Sequence, residues 1–302
     1  MIKIAPKSLI DLEFTVVCQQ ISDLCITGPG KEKALKLQPY KTGKKTLFGL
    51  HQTNEYVSSK TRESRIPNHG FDAIKNELRT LEIEDSILEI GSFRKIASLS
   101  ETVNTHIKFF RKFEEYYPSL FETTSEVEYT TEIVDSIGGV INKFGELKDD
   151  ATPHLQQIRR SINQVKGQIN SSFAKALTTY HSYGYLDEIR ESVVENVRVL
   201  AVTAMHRRKV KGGILGNSKT GSIVYIQPEA TYQYTRELNN LEYEEKEEIK
   251  RILKELTNRI RPFKPLLIDY QNLLCEIDVI AAKAKYAEMT NGLLPKITKE
   301  RE

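Results

Sequence analysis

Nothing in this chain of 302 residues approaches 18 consecutive apolar residues, so no segment is long enough to span a bilayer as a helix. The opening MIKIAPKSLIDLEF lacks the apolar stretch of a secretory signal. Cysteine is scarce: Cys18, Cys25 and Cys275 are scattered, odd in number and without metal-ligand spacing. That usage fits buried free thiols in a reducing compartment, and a cytoplasmic protein is expected. The six histidines are spread from His51 to His206 with no H-x-x-x-H, so no metal site is expected. There is no G-x-S-x-G and no nucleophile in a catalytic context, so no catalytic residue is assigned.

Two stretches imitate a phosphate loop, GPGKEK from Gly28 and TGKKT from Thr42. Neither fits G-x-x-x-x-G-K-[ST]. No strand precedes Gly28. In the second stretch Gln38 stands where the first glycine belongs, and Lys45 stands where Ser or Thr should follow Lys44. Gly28-Pro29-Gly30 reads instead as a helix-ending turn. The acid-rich YEEKEE, from Tyr243, reads as a solvated helix face rather than a metal cluster.

Acid is also missing locally. Between Met205 and Gln227 there is no Asp or Glu, although the chain as a whole carries 44 basic and 41 acidic residues. This stretch, HRRKVKGGILGNSKTGSIVYIQPE from His206, holds Arg207, Arg208, Lys209, Lys211 and Lys219, with Arg198 nearby. A cationic surface of this kind can contact a sugar–phosphate backbone without reading its sequence. The competing reading is a solvated turn whose lysines aid solubility. Aromatic interleaving is thin, because Tyr225, Tyr232 and Tyr234 fit packing at a strand–helix junction.

The 39% hydrophobic and 28% charged residues belong to a globular chain rich in long helices. From Thr152 to Tyr180, Leu155, Ile158, Ile162, Val165, Ile169, Ser172 and Ala176 follow a 3-4 spacing, which predicts a helix with one narrow apolar stripe. Thr152 suits its N-cap, Pro153 its first position, and Asp149 and Asp150 its dipole. A second long helix is expected from Ala230 to Arg261, with Leu238, Leu241, Ile249, Ile252, Leu253, Leu256 and Ile260 as its stripe. Acid–base pairs at i to i+4 support its outer face, and Pro262 and Pro265 end it. Two such helices should pair antiparallel.

Between them, Ser192–Ala204 and Gly221–Pro228 alternate like strands, and 210–214 is a candidate third. The first 150 residues carry helical stripes. The segment from Leu266 to Met289 is a more apolar helix, expected to return onto them. The β module and its two helices are then an insertion in a helical body.

Three stretches together resemble the MutS family. INKFGELKDDATPHLQQIRRSI, from Ile141, carries Gly145, Leu147, Asp149, Ala151, Thr152, Pro153, Leu155, Ile158 and Arg159 in the family's spacing. KVKGGILGNSKTGSIVYIQPE, from Lys209, supplies Gly213, Ser218, Gly221, Tyr225 and Pro228. RELNNLEYEEKEEIKRIL, from Arg236, holds Leu238, Asn239 and Asn240 where the family has L-N-N. The N-terminal GKEKALKLQP, from Gly30, is similar to the second bacterial branch, the anti-recombination paralogue with a C-terminal Smr domain. The chain departs from the family at 195–198, where ENVR replaces a frequent R-N-G-R, and at Lys219, Thr220 and Ile223.

The resemblance implies a mainly α fold, a helical core domain with two long antiparallel lever helices and a small β-rich clamp inserted at their tip. Its expected divisions are a core over 1–150, an ascending lever over 151–182, a clamp over 183–229, a descending lever over 230–262, and a return helix with a linker over 263–302. The clamp would contact DNA, branched or duplex. Ribosomal RNA on a ribosome is a second implied partner. The longer protein would be a homodimeric ATPase using ATP and Mg, with an ATPase domain and a C-terminal nuclease domain expected beyond LLPKITKERE. The alternative is a coiled-coil structural module whose tip binds protein.

Overall fold

The computed structural model describes residues 4–62 and 64–295, so the expectation of a linker beyond Lys296 lies outside the described residues. The chain divides into two units, one made of residues 1–148 with 253–302 and one of 149–252. The fold is mainly helical and contains a four-stranded antiparallel sheet.

The first unit holds α1 (Pro6–Asp11), α2 (Phe14–Leu24), α3 (Gly28–Leu35), α4 (Gly43–Ser59), α5 (Lys75–Glu82), α6 (Ile90–Lys112), α7 (Pro118–Ser125), α8 (Glu132–Val140) and α11 (Lys264–Met289). The apolar helix α11 packs on α2, α3, α4, α5 and α6. Leu267, Tyr270, Leu274 and Ile277 of α11 join Phe93, Ile96, Leu99 and Phe110 of α6 in one core. The three thiols are buried and free. Burial pushes Cys25 up to about 12 and Cys275 up to about 11, so both stay protonated and unreactive at neutral pH.

Both imitation phosphate loops turn out to be helix starts. Gly28-Pro29-Gly30 opens α3 rather than ending α2, which corrects the turn expected there. Pro29 suits a first helical turn, and the Thr27 hydroxyl accepts from Gly30 N–H at 3.0 Å. Thr27 is itself fixed by buried Asp278 of α11, which accepts from Thr27 N–H at 2.9 Å and Ile26 N–H at 3.0 Å, with His69 Nε2 at 3.1 Å. A carboxylate thus occupies the neighbourhood where a phosphate loop would need positive potential. Thr42 likewise caps α4 by accepting from Lys45 N–H.

The second unit holds α9 (Pro153–Ser182), the strands β1 (Leu186–Val194), β2 (Val197–Thr203), β3 (Gly212–Asn217) and β4 (Ile223–Pro228), and the part of α10 (Tyr232–Ile260) up to Ile252. Helix α9 begins as its sequence dictates: the Thr152 hydroxyl accepts from Leu155 N–H at 3.1 Å and Pro153 is its first residue. Its 30 residues span about 45 Å at 1.5 Å each. Leu155, Ile158, Ile162 and Val165 are buried, but the stripe then moves to Phe173, and Ser172 instead donates to the Ala230 carbonyl at 2.8 Å. Thr152 donates to Glu248 at 2.7 Å and Arg159 to Glu245 at 2.7 Å. Partner numbers fall on one helix as they rise on the other, so α9 and α10 run antiparallel. The acids of α10 were expected to pair along their own helix. Arg251–Glu248 does so, but Glu245 and Glu248 also reach across to α9.

The sheet order is β1-β2-β4-β3. The strand expected over Ser192–Ala204 is in fact two, because Glu195 and Asn196 form a tight turn with φ of 49° and 63°. The third strand runs from Gly212 to Asn217, later than expected. Phe173 of α9 packs with Leu200, Val202, Val224 and Ile226 of the sheet and with Val210 of the segment joining β2 to β3.

Candidate nucleic-acid interface

The basic run is not a hairpin. Residues 204–211 join β2 to β3, and since β4 lies between those strands the connection must cross from one end of the sheet to the other. Val210, buried, holds the crossing against the sheet. The Tyr180 hydroxyl accepts from Lys211 N–H at 3.1 Å, and the Lys211 carbonyl accepts from Glu229 N–H at 3.1 Å. With its backbone strapped down in this way, the segment turns its long cationic side chains to solvent.

Arg207, Arg208, Lys209 and Lys211 are exposed. Lys219 is exposed too, in the β3–β4 turn. That turn lies at the sheet end where β2 finishes, since Ala204 N–H donates to the Ser222 carbonyl at 2.9 Å. Among the described residues none of these five cations has an ion-pair partner. Lys209 Nζ sits 5.2 Å from the centroid of the Tyr185 ring.

Arg198 is set apart from them. It lies near the opposite end of β2, paired with Val193. Its guanidinium donates to Glu191 at 2.6 Å and to Asn170 at 3.0 Å, and lies 4.3 Å from the Phe173 ring centroid. An ion pair, two hydrogen bonds and an aromatic face hold it inside the unit.

The remaining residues singled out in the sequence build the hairpin. Gly221 has φ of 71°, a left-handed conformation that favours glycine, and its N–H donates to the Ser218 carbonyl at 2.9 Å. The Ser218 hydroxyl accepts from Ile223 N–H at 3.1 Å and closes the turn. Tyr225 is half-buried on β4, opposite Ala201 and Gly216. Pro228 ends β4 beyond its last pairing with β2, where a missing N–H breaks no bond to that strand. The close approach permitted by Gly213 is internal, because a Cβ there would stand 2.4 Å from the Tyr232 hydroxyl.

Aromatic residues that the sequence reading passed over gather beside the run. Tyr180, Tyr183 and Tyr185, from the end of α9 and the chain just after it, lie within 5.5–6.5 Å of one another. His206 packs on Tyr185 at 4.8 Å between ring centroids. Tyr180 and Tyr185 pack against the sheet core, whereas Tyr183 is 60% exposed. The Y-x-x-Y-x-Y spacing at a helix end could have announced the cluster. Its neighbourhood with a run some 25 residues downstream follows only from the fold.

Among the described residues no group of His, Cys, Asp and Glu could hold a metal ion, and no helix is long and apolar enough to cross a membrane.

No family model matches the chain. Individual proteins do. It is 28% identical over 289 residues to Endonuclease MutS2 of Pelotomaculum thermopropionicum, covering 96% of this chain and 37% of that protein. Endonuclease MutS2 of Staphylococcus carnosus is 25% identical over 301 residues, 98% of this chain and 38% of the relative. That of Alkaliphilus oremlandii is 27% identical over 292 residues, 96% and 37%. Almost the whole of this chain is therefore matched, while it spans less than two-fifths of these relatives' length.

Proposed function

We propose that this chain is the core, lever and clamp region of a MutS-type protein of the second bacterial branch, and that its clamp holds nucleic acid by the phosphate backbone. The observation that carries the reading is the set of five exposed, unpaired cations, Arg207, Arg208, Lys209, Lys211 and Lys219, on a small sheet joined to two long antiparallel helices. Unpaired cations on a rigid support neutralise phosphates with little reorganisation. Similarity along almost the whole of this chain to proteins named Endonuclease MutS2 supports the same reading. In it, α9 and α10 are levers that couple the clamp to an ATPase domain elsewhere in the longer protein. ATP, Mg and a homodimer belong to that whole protein, which would act in recombination suppression or DNA repair.

The test titrates the chain against a branched DNA junction, a linear duplex and ribosomes at two salt concentrations. A variant carrying glutamate at 207, 208, 209 and 211 runs in parallel. Salt-sensitive binding that the variant loses is the expected result, and the tightest ligand identifies the working partner. Binding to none of the three at low salt would overturn the backbone-contact reading for this chain and favour a protein-binding tip.

A further inference from the structure

We propose that Tyr183, backed by Tyr180 and Tyr185, is a stacking platform for an unpaired base, so that the preferred ligand is nucleic acid with unstacked bases rather than fully paired duplex. The proposal rests on the backbone-contact reading of the basic segment and adds the feature that sorts among its ligands.

The argument begins with what Tyr183 does not do. Tyr180 and Tyr185 have structural work: both pack on the sheet core, and the Tyr180 hydroxyl holds Lys211 N–H. Tyr183 has no place in that core. Its ring neighbours are Tyr180 at 6.5 Å and Tyr185 at 5.5 Å, and it is 60% exposed. Met205, 81% exposed, adds a second apolar group at the start of the same segment. A single exposed tyrosine is ordinary. An exposed ring in contact with two others, with Lys209 over one of them and the Lys211 N–H on the other's hydroxyl, is the arrangement that binds single strands: cations follow the phosphates while an aromatic face receives a base.

A duplex cannot use that face, because its bases are already stacked on one another. A single strand, flap, bulge or loop can. Every base has a π-face, so the platform would be indifferent to sequence and would accept DNA and RNA alike. Lys209 over the Tyr185 ring keeps one positive charge at the platform's edge, where the phosphate flanking a stacked base would lie.

The experiment measures affinity of the 302-residue chain for four probes of equal length: a mixed-sequence DNA single strand, its duplex, its abasic counterpart, and the RNA single strand. The abasic strand keeps the phosphates and the flexibility and removes only the bases. Wild type should prefer both base-bearing single strands over the duplex and the abasic strand. Tyr183→Ala should weaken the base-bearing strands about tenfold, a typical loss for one stacked base, and leave duplex affinity unchanged. Tyr183→Phe keeps the ring and should behave as wild type. The side chain at 183 is exposed, and an unchanged unfolding midpoint verifies that each variant folds. Equal affinity for base-bearing and abasic strands, or a preference that survives in Tyr183→Ala, overturns the platform while leaving backbone contact intact. Absence of salt-sensitive binding to every probe overturns the backbone reading, and the platform with it.

Discussion

Glu195 and Asn196 are exposed and hold φ of 49° and 63° in a two-residue turn between Val194 and Val197. Positive φ at both central positions is the type I′ hairpin turn, whose twist matches that of its strands. Asparagine tolerates this region, whereas glutamate gains nothing from it. The pair of changes Glu195→Asn with Asn196→Gly installs the preferred I′ dipeptide and should raise stability by about 1 kcal/mol, read as a higher urea midpoint at constant slope. Glu195→Val places a β-branched residue in the left-handed region and should lose about 1–2 kcal/mol by the same measurement. These residues also explain why the sequence reads as one strand. Val193, Val194, Val197 and Val199 are apolar on either side of a turn that contains neither glycine nor proline. The signal for the turn is backbone conformation, and a Glu-Asn pair announces it only weakly.

At the scale of the element, α9, α10 and α11 were legible because cap, stripe and stop agree. Thr152 and Pro153 start α9, and Pro262 falls in the short 3₁₀ turn that follows α10. What the stripe could not supply was the polar seam. Glu248, on a face that reads as solvated, is buried beside Thr152, His154 and Arg251. The Arg251 guanidinium, with the Thr152 hydroxyl and His154, outweighs burial and draws the Glu248 carboxyl down to about 2. Its folded value thus lies below that of an unfolded glutamate, about 4.3. The stabilisation is fully present above the unfolded value and is lost as pH falls through it toward the folded one. Unfolding midpoints should therefore drop between about pH 5 and pH 2 in wild type and change less in Glu248→Gln. At neutral pH that variant should be about 2 kcal/mol less stable, since it loses the charge facing Arg251. An acid slope that is the same in both proteins would show that the seam does not carry the titration.

For the whole molecule, a net charge of +3 hides the feature that matters, the absence of acid from Met205 to Gln227. That absence was legible along the chain. Three spatial facts were not: the crossing that strings the cations over the sheet, the tyrosines brought from the end of α9, and the removal of Arg198 into its own contacts with Glu191 and Asn170. The crossing depends on strand order, and nothing in the local pattern says that β4 lies between β2 and β3; the other two depend on how α9 packs against the sheet. The difference between the free cations and the satisfied one can be measured. Duplex affinity falls with salt with a log–log slope of about −0.9 per phosphate neutralised, so full use of five cations gives a slope near about −4.5. Arg207→Ala or Lys219→Ala should each reduce its magnitude by about 1, because each removes one released counterion. Arg198→Ala should leave the slope as it is, since that guanidinium already faces a carboxylate and gains little by exchanging it for a phosphate. A slope that falls equally in Arg198→Ala would mean that Arg198 leaves Glu191 when nucleic acid binds. The interface would then extend along β2 to the Glu195–Asn196 turn rather than ending at the basic crossing.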